Sequence, residues 1–243
     1  MFFHVLTAYG AKGKPQSRVF GCVQERNGIQ AMGFWILGAG KFGRIAAERI
    51  REKHPPALIT VVDNDQDALD ALDSGVEALH MPGGEFLFNA LSRENAPDWI
   101  VPAIPVHMAY EWIMARLERE KSPWPLPVPF EIADQVPNPL WGQQGTLYAS
   151  QADFLCPDNC PEPEHHCFKT GLPRENLFDI FRRMQAPGYT QVVIQSYQLT
   201  PGVGGIKPDD LFLAEKQVLA ASGPVLVCTA CRCHGVINGL ELT

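Results

Sequence analysis

The sequence lacks any apolar run approaching the ~20 residues that a helix needs to cross a bilayer, which excludes a helical membrane span. It also lacks positive charge. With 20 Lys+Arg against 27 Asp+Glu, its net charge is −7, which excludes the basic face that nucleic-acid binding requires. The first ten residues show no charged start followed by a long apolar stretch, so no secretory leader is read there and a cytoplasmic location is expected. Charged residues are few at 19% and hydrophobic residues many at 46%, which excludes disorder by composition. No internal repeat is visible. Proline (21), glycine (21) and cysteine (7) are not scarce. The 243 residues suffice for one large domain, or for one ordinary domain plus a smaller one.

Hydrophobic periodicity divides the chain. Residues 1–31 show no clear period and are expected to lie outside the fold, with Met32 as a candidate true start. From Phe34 the pattern is regular. The run Phe34-Trp35-Ile36-Leu37 reads as a strand, and Phe42, Ile45, Ala46 and Ile50 fall on one helical face that His54-Pro55-Pro56 ends. Leu58-Ile59-Thr60-Val61-Val62 reads as a buried parallel strand closed by Asp63. Further strand and helix patterns alternate to about Lys121. That alternation predicts a parallel Rossmann-type α/β sheet over residues 32–121, with helices on both faces. The proline-rich residues 122–145 predict a stiff extended linker. Residues 146–243 are expected to form a smaller Cys-rich α/β unit with a Cys metal site.

The strongest motif is Gly38-Ala39-Gly40-Lys41-Phe42-Gly43, with the spacing G-x-G-x-x-G. The first glycine permits a tight turn, the second admits a pyrophosphate, and the third lets the helix approach the sheet. A helix beginning there aims free N–H groups and the positive end of its dipole at phosphates. Asp63 ends the next strand and is placed to accept hydrogen bonds from a ribose, with Asn64 beside it. An acid at that position favours NAD or NADH over NADP, although Arg44 lies close by.

These residues, with Val61-Val62-Asp63-Asn64-Asp65, Ala68-Leu69 and Gly75, resemble the nucleotide-binding domain of the Trk-type potassium-uptake regulators (the KTN/RCK group). The resemblance covers about a third of the chain. It implies that Gly38, Gly40 and Gly43 hold phosphates and that Asp63 holds a ribose. The family usually carries Gly-Asp after the third strand, where this chain has Gly83-Gly84-Glu85.

The cysteines cluster. Cys156, Cys160 and Cys167 form one group, Cys228, Cys231 and Cys233 another, and Cys22 stands alone. Clustered cytosolic cysteines favour metal or redox chemistry over disulfides. Two arrangements follow. Cys156, Cys160 and Cys167 plus one downstream cysteine would hold an iron–sulfur cluster, or cysteines mixed with His165, His166 or His234 would hold zinc. Cys228 and Cys231 also have the C-x-x-C spacing of a reversible thiol pair, and free thiols remain the plain alternative. His107, just past the strand at Trp99, is the one acid–base candidate near a dinucleotide; its plain alternative is a helix-start histidine bonded to backbone or water.

Together these features predict an NAD(H)-binding regulatory or sensor protein with a Cys-ligated metal centre, acting on a protein partner or as a homodimer. The alternatives are an NAD-dependent oxidoreductase with an iron–sulfur or thiol redox centre, and a structural protein stabilised by zinc.

Overall fold

A computed structural model describes residues 25–26, 29–119 and 121–242. The expectation for residues 1–31, and Cys22, lie almost wholly outside the described residues. Of that segment, Glu25–Arg26 pairs antiparallel with Ile29–Gln30.

The first sheet has four parallel strands: β1 (Gly33–Leu37), β2 (Leu58–Asp63), β3 (Glu77–His80) and β4 (Trp99–Pro102), in the order β3-β2-β1-β4. Between them run α1 (Lys41–Lys53), α2 (Gln66–Asp70) and α3 (Gly83–Ala90), followed by α4 (Met108–Leu117). Helix α1 buries Gly43, Ala46, Ala47 and Ile50 at three- and four-residue spacing, and Arg51 and Lys53 suit the negative end of its dipole. The Asp65 side chain caps α2 by accepting from the amides of Asp67 and Ala68. Alternation along β1 sends Phe34 and Ile36 to the side of α1 and α2, and Trp35 and Leu37 to the side of α3 and α4.

The second sheet has six strands: β5 (Pro123–Leu126), β6 (Leu140–Trp141), β7 (Leu147–Ser150), β8 (Thr190–Gln195), β11 (Val225–Ala230) and β12 (His234–Leu242). Their order is β8-β11-β12-β7-β6, with β5 also paired to β12. Only β8 and β11 run parallel; the other pairings in this sheet are antiparallel. The sheet is flanked by α5 (Leu177–Arg183) on one face and α6 (Pro208–Ala220) on the other. A hairpin of β9 (Tyr197–Thr200) and β10 (Val203–Gly205) packs on α1, and Ile206 exchanges both backbone hydrogen bonds with Ile100 beside it.

This corrects the expected division of the chain. Residues 122–145 are not a linker: β5 and β6 belong to the second sheet, and Phe130–Gln135 forms a 3-10 helix whose Ile132 is fully buried. Nor is the second unit the smaller one by strand count. The two sheets also share a core. Trp35 and Leu37 of β1, Trp112 and Ile113 of α4, Leu211 and Val218 of α6, and Val225 and Val227 of β11 form one buried cluster. No helix among the described residues is long and apolar enough to cross a membrane.

Candidate functional site

The turn after β1 is built as its glycines require. Gly38 has φ +111°, which side-chain-bearing residues rarely adopt. A Cβ on Gly43 would stand 1.8 Å from the Gly38 carbonyl oxygen, so the helix can approach only with glycine there. A Cβ on Gly40 would meet nothing within 4 Å, so the approach to the helix start is open at that position. Gly40 is also the N-cap of α1 and supplies no side chain to the free amides of the first turn. Ala39 and Gly43 are buried, whereas Gly40, Lys41 and Phe42 are exposed.

Asp63 ends β2 beside this turn. Its Oδ2 accepts from the Ala39 amide at 2.5 Å, and its Oδ1 accepts from the Asp65 amide at 2.9 Å. The carboxylate thus holds the turn in shape. A carboxylate has about four acceptor positions, so ribose hydroxyls remain within its capacity. Asn64 is exposed, and its carbonyl lies 3.0 Å from His80 Nε2.

Two cavities lie on the Phe42 side of the turn, and Asp63 lines neither. One, of about 430 Å³, is bounded by Phe42, Ala103, Ile104, Pro105 and the turn at Gly202. It sits past the carboxyl end of β4, next to β1, where the strand order reverses. The other, of about 810 Å³, is bounded by Phe42, Gly202 and the cysteine loops.

The loop from Cys156 to Cys160 is docked onto α1. Lys41 Nζ pairs with Asp158 Oδ2 at 2.5 Å. Arg49 Nη1 donates to the carbonyls of Asp158 and Pro201 at 2.7 and 2.5 Å. The carbonyl of Cys160 accepts from the Gly202 amide at 3.0 Å and from Gln198 Nε2 at 2.7 Å. One face of α1 therefore carries the glycine turn at its start and the thiol loop along its side.

Five of the six expected metal-binding cysteines line the larger cavity: Cys156, Cys160, Cys167, Cys231 and Cys233. Cys228 does not. It points into the apolar core between β11 and α5, and burial pushes its thiol well above the usual range. The C-x-x-C pairing of Cys228 with Cys231 is thereby corrected: alternation along β11 turns Cys228 inward, while Cys231 lies in the turn beyond that strand. His234 lines the cavity, with Nε2 3.7 Å from Cys156 Sγ; His165 and His166 are exposed and do not line it. Among the described residues no three His, Cys, Asp or Glu side chains converge closely enough to hold one ion.

The thiols differ in their surroundings. Cys231 Sγ accepts the amides of Cys233 and His234 at 3.3 Å each. Burial and the adjacent Glu162 carboxylate push its pKa up. Burial also raises Cys233 to about 12, against the pull of nearby Arg174. Burial and the neighbouring Cys160 and Cys167 raise Cys156. Cys167 is lowered by hydrogen bonds from the Thr170 hydroxyl and from the amides of Thr170 and Lys169. Glu162 was not legible as a site residue: it sits between two prolines, with φ +46°, and its carboxylate accepts the Arg232 amide at 2.9 Å. Asp158 inside the thiol loop was equally unmarked.

His107 lines neither cavity. Its Nδ1 lies 2.8 Å from Asn238 Oδ1 and its Nε2 2.8 Å from Thr229 Oγ1. Burial lowers its pKa to about 4. Both ring nitrogens are occupied by the second sheet, so this histidine joins α4 to β11 and β12 and has no nitrogen left for acid–base work.

Residues 109–243 match a protein family described as "Uncharacterized protein, C-terminal domain". The chain belongs to that family. The matched segment begins in α4 and includes the second sheet and all the cysteines of the cavity. An uncharacterized protein of Archaeoglobus fulgidus (strain ATCC 49558 / DSM 4304 / JCM 9628 / NBRC 100126 / VC-16) is 27% identical over 224 residues, which covers 85% of this chain and 98% of that protein. No solved structure matches the chain.

Proposed function

We propose that this is an NAD(H)-binding regulatory protein in which a thiolate-ligated metal centre is coupled to the dinucleotide site. The strand order β3-β2-β1-β4, with a glycine turn after β1 and a cavity at the order reversal, supports this reading, because dinucleotide-binding α/β sheets use that order and bind at that point. The observation that carries the coupling is the ion pair of Lys41, inside the glycine turn, with Asp158, inside the thiol loop. A pyrophosphate at the start of α1 would compete with Asp158 for the Lys41 ammonium. Occupancy of one site then alters the anchoring of the other, as a sensor requires. Free thiols suit the reducing cytoplasm. The output would pass to a protein partner or a second copy of the chain.

The test is a calorimetric titration of the full chain with NADH, before and after removal of bound metal by a chelator. The expected result is saturable binding with an affinity that changes severalfold on metal removal, and Asp158→Asn should abolish that change. Unchanged affinity would refute the coupling, and no binding would refute the dinucleotide site. A second reading, an NAD-dependent oxidoreductase, is favoured by one observation: Phe42 of the glycine turn lines the same cavity as the thiols. It predicts NADH-dependent reduction of an artificial electron acceptor.

A further inference from the structure

We infer that the two cavities beside the glycine turn form one cleft, and that the nicotinamide half of the dinucleotide crosses Phe42 into the larger cavity, beside Ser196 and Gln198. This rests on the dinucleotide reading above and assigns the place of the ligand's second half.

The two cavities meet at a common boundary, because Phe42, Gly202, Val203 and Gly204 line both. That boundary is a low sill. Gly202 and Gly204 have no side chains to raise it, and both are exposed. Phe42 is 56% exposed although it is the second residue of α1. The inward face of that helix is filled by Gly43, Ala46, Ala47 and Ile50, so α1 packs without the ring. An exposed aromatic ring beside a phosphate-binding turn is suited to stack on a second planar ring. Lys41 Nζ lies 5.4 Å from the centroid of the Phe42 ring, so a cation for the pyrophosphate and a platform for the next group of the ligand are adjacent.

The direction past Phe42 follows from where hydrogen-bonding side chains stand. Besides the shared residues, the smaller cavity is lined by Ala46, Val101, Pro102, Ala103, Ile104 and Pro105. None of these has a polar side chain, and the two prolines lack amides as well. A carboxamide and ribose hydroxyls taken out of water need partners. Such partners stand just over the sill, in the cavity of about 810 Å³. A Cβ at Gly204 would lie 2.9 Å from Ser196 Oγ, which fixes that hydroxyl beside the sill. Gln198 is the direct cross-strand partner of Gly204. Its Nε2 donates to the Cys160 carbonyl at 2.7 Å, which orients the side chain and leaves its amide oxygen as an acceptor for a carboxamide N–H. Ser196 and Gln198 both line the larger cavity, the one that the cysteine loops also line. A few placed polar groups in a mostly apolar cleft are what orients a bound ring.

The test is calorimetric titration of the full chain with ADP, ADP-ribose and NADH, ligands of increasing length. All three should bind, with NADH at least about tenfold tighter than ADP-ribose, because only NADH carries the ring. Phe42→Ala removes the platform, and Ser196→Phe fills the larger cavity at the sill. Each should erase most of the advantage of NADH over ADP-ribose while leaving ADP affinity within about twofold of the wild type. Circular dichroism checks folding. Phe42→Ala trims an exposed side chain, and Ser196→Leu replaces Ser196→Phe if the latter unfolds. NADH binding no tighter than ADP-ribose would overturn the inference. So would a full NADH advantage in Ser196→Phe, which would put the ring in the smaller cavity. Equal losses of ADP and NADH affinity in either variant would also overturn it, since the glycine turn itself would then be disturbed. Failure of the wild type to bind ADP or NADH would instead overturn the dinucleotide reading.

Discussion

His107 sits at the first end of α4 with both ring nitrogens bonded, to Asn238 on one side and Thr229 on the other. Asn238 Nδ2 in turn donates to Thr146 Oγ1 at 2.8 Å. Neutral imidazole satisfies this chain, and protonation would bury a charge. The pKa accordingly falls from 6.5 to about 4 in the folded state. The unfolded chain therefore binds a proton first as pH falls, which penalises folding. Stability from this residue is complete above pH 6.5 and is lost as pH drops through about 4. The loss amounts to about 3 kcal/mol. Urea unfolding at several pH values checks this: a His107→Gln variant should show a shallower pH dependence than the wild type over that window. An identical slope in both would remove His107 from the joint. The residue type and its place after a strand gave His107 the look of an acid–base group. Its actual partners lie more than a hundred positions away, and no local pattern could supply them.

At the scale of elements, the first sheet was legible because every strand and helix in it carries its own period and its own stop. Phe34 to Leu37, the glycine turn, Asp63 and the prolines after His54 are local signals, and the folded boundaries follow them closely. The second sheet was not legible for two physical reasons. Its long strand β12 contains Gly235 and Gly239, which weaken any strand pattern. Both are there for close approach: a Cβ at Gly235 would meet the Phe181 ring at 2.6 Å, and one at Gly239 the Leu126 carbonyl oxygen at 2.7 Å. The other reason is β5, Pro-Trp-Pro-Leu, whose prolines read as linker. Their missing amides are tolerated because β5 pairs with β12 on one side only. Residues 122–145 should therefore resist limited proteolysis under native conditions as well as the first sheet does. Early cleavage within 122–145 would show that β5 and β6 are not held as described.

For the whole molecule, the cluster shared by β1, α4, α6 and β11 means that neither sheet completes its core alone. Arg116 Nε and Glu215 Oε1, 2.8 Å apart and half-buried, tie α4 to α6 across the same layer. Calorimetry should show one cooperative unfolding transition. Ile113→Ala, at a fully buried site in that layer, should lower it as a unit by about 2–5 kcal/mol. Two transitions, with only one moved by Ile113→Ala, would argue for independent domains. The shared core gives the proposed coupling between the glycine turn and the thiol cavity a mechanical route, which a single transition would support.

The proposed dinucleotide site lies at the start of α1, and Gly40 is the open position of its glycine turn. A side chain there meets nothing within 4 Å, so Gly40→Val should fold with an unchanged melting temperature. Its isopropyl group would occupy the space a pyrophosphate needs. Titration of wild-type and Gly40→Val protein with NADH should show saturable binding by the former and at least about a tenfold loss in the latter, a difference of ~1.4 kcal/mol. Equal affinities in the two proteins would contradict the assignment of the glycine turn.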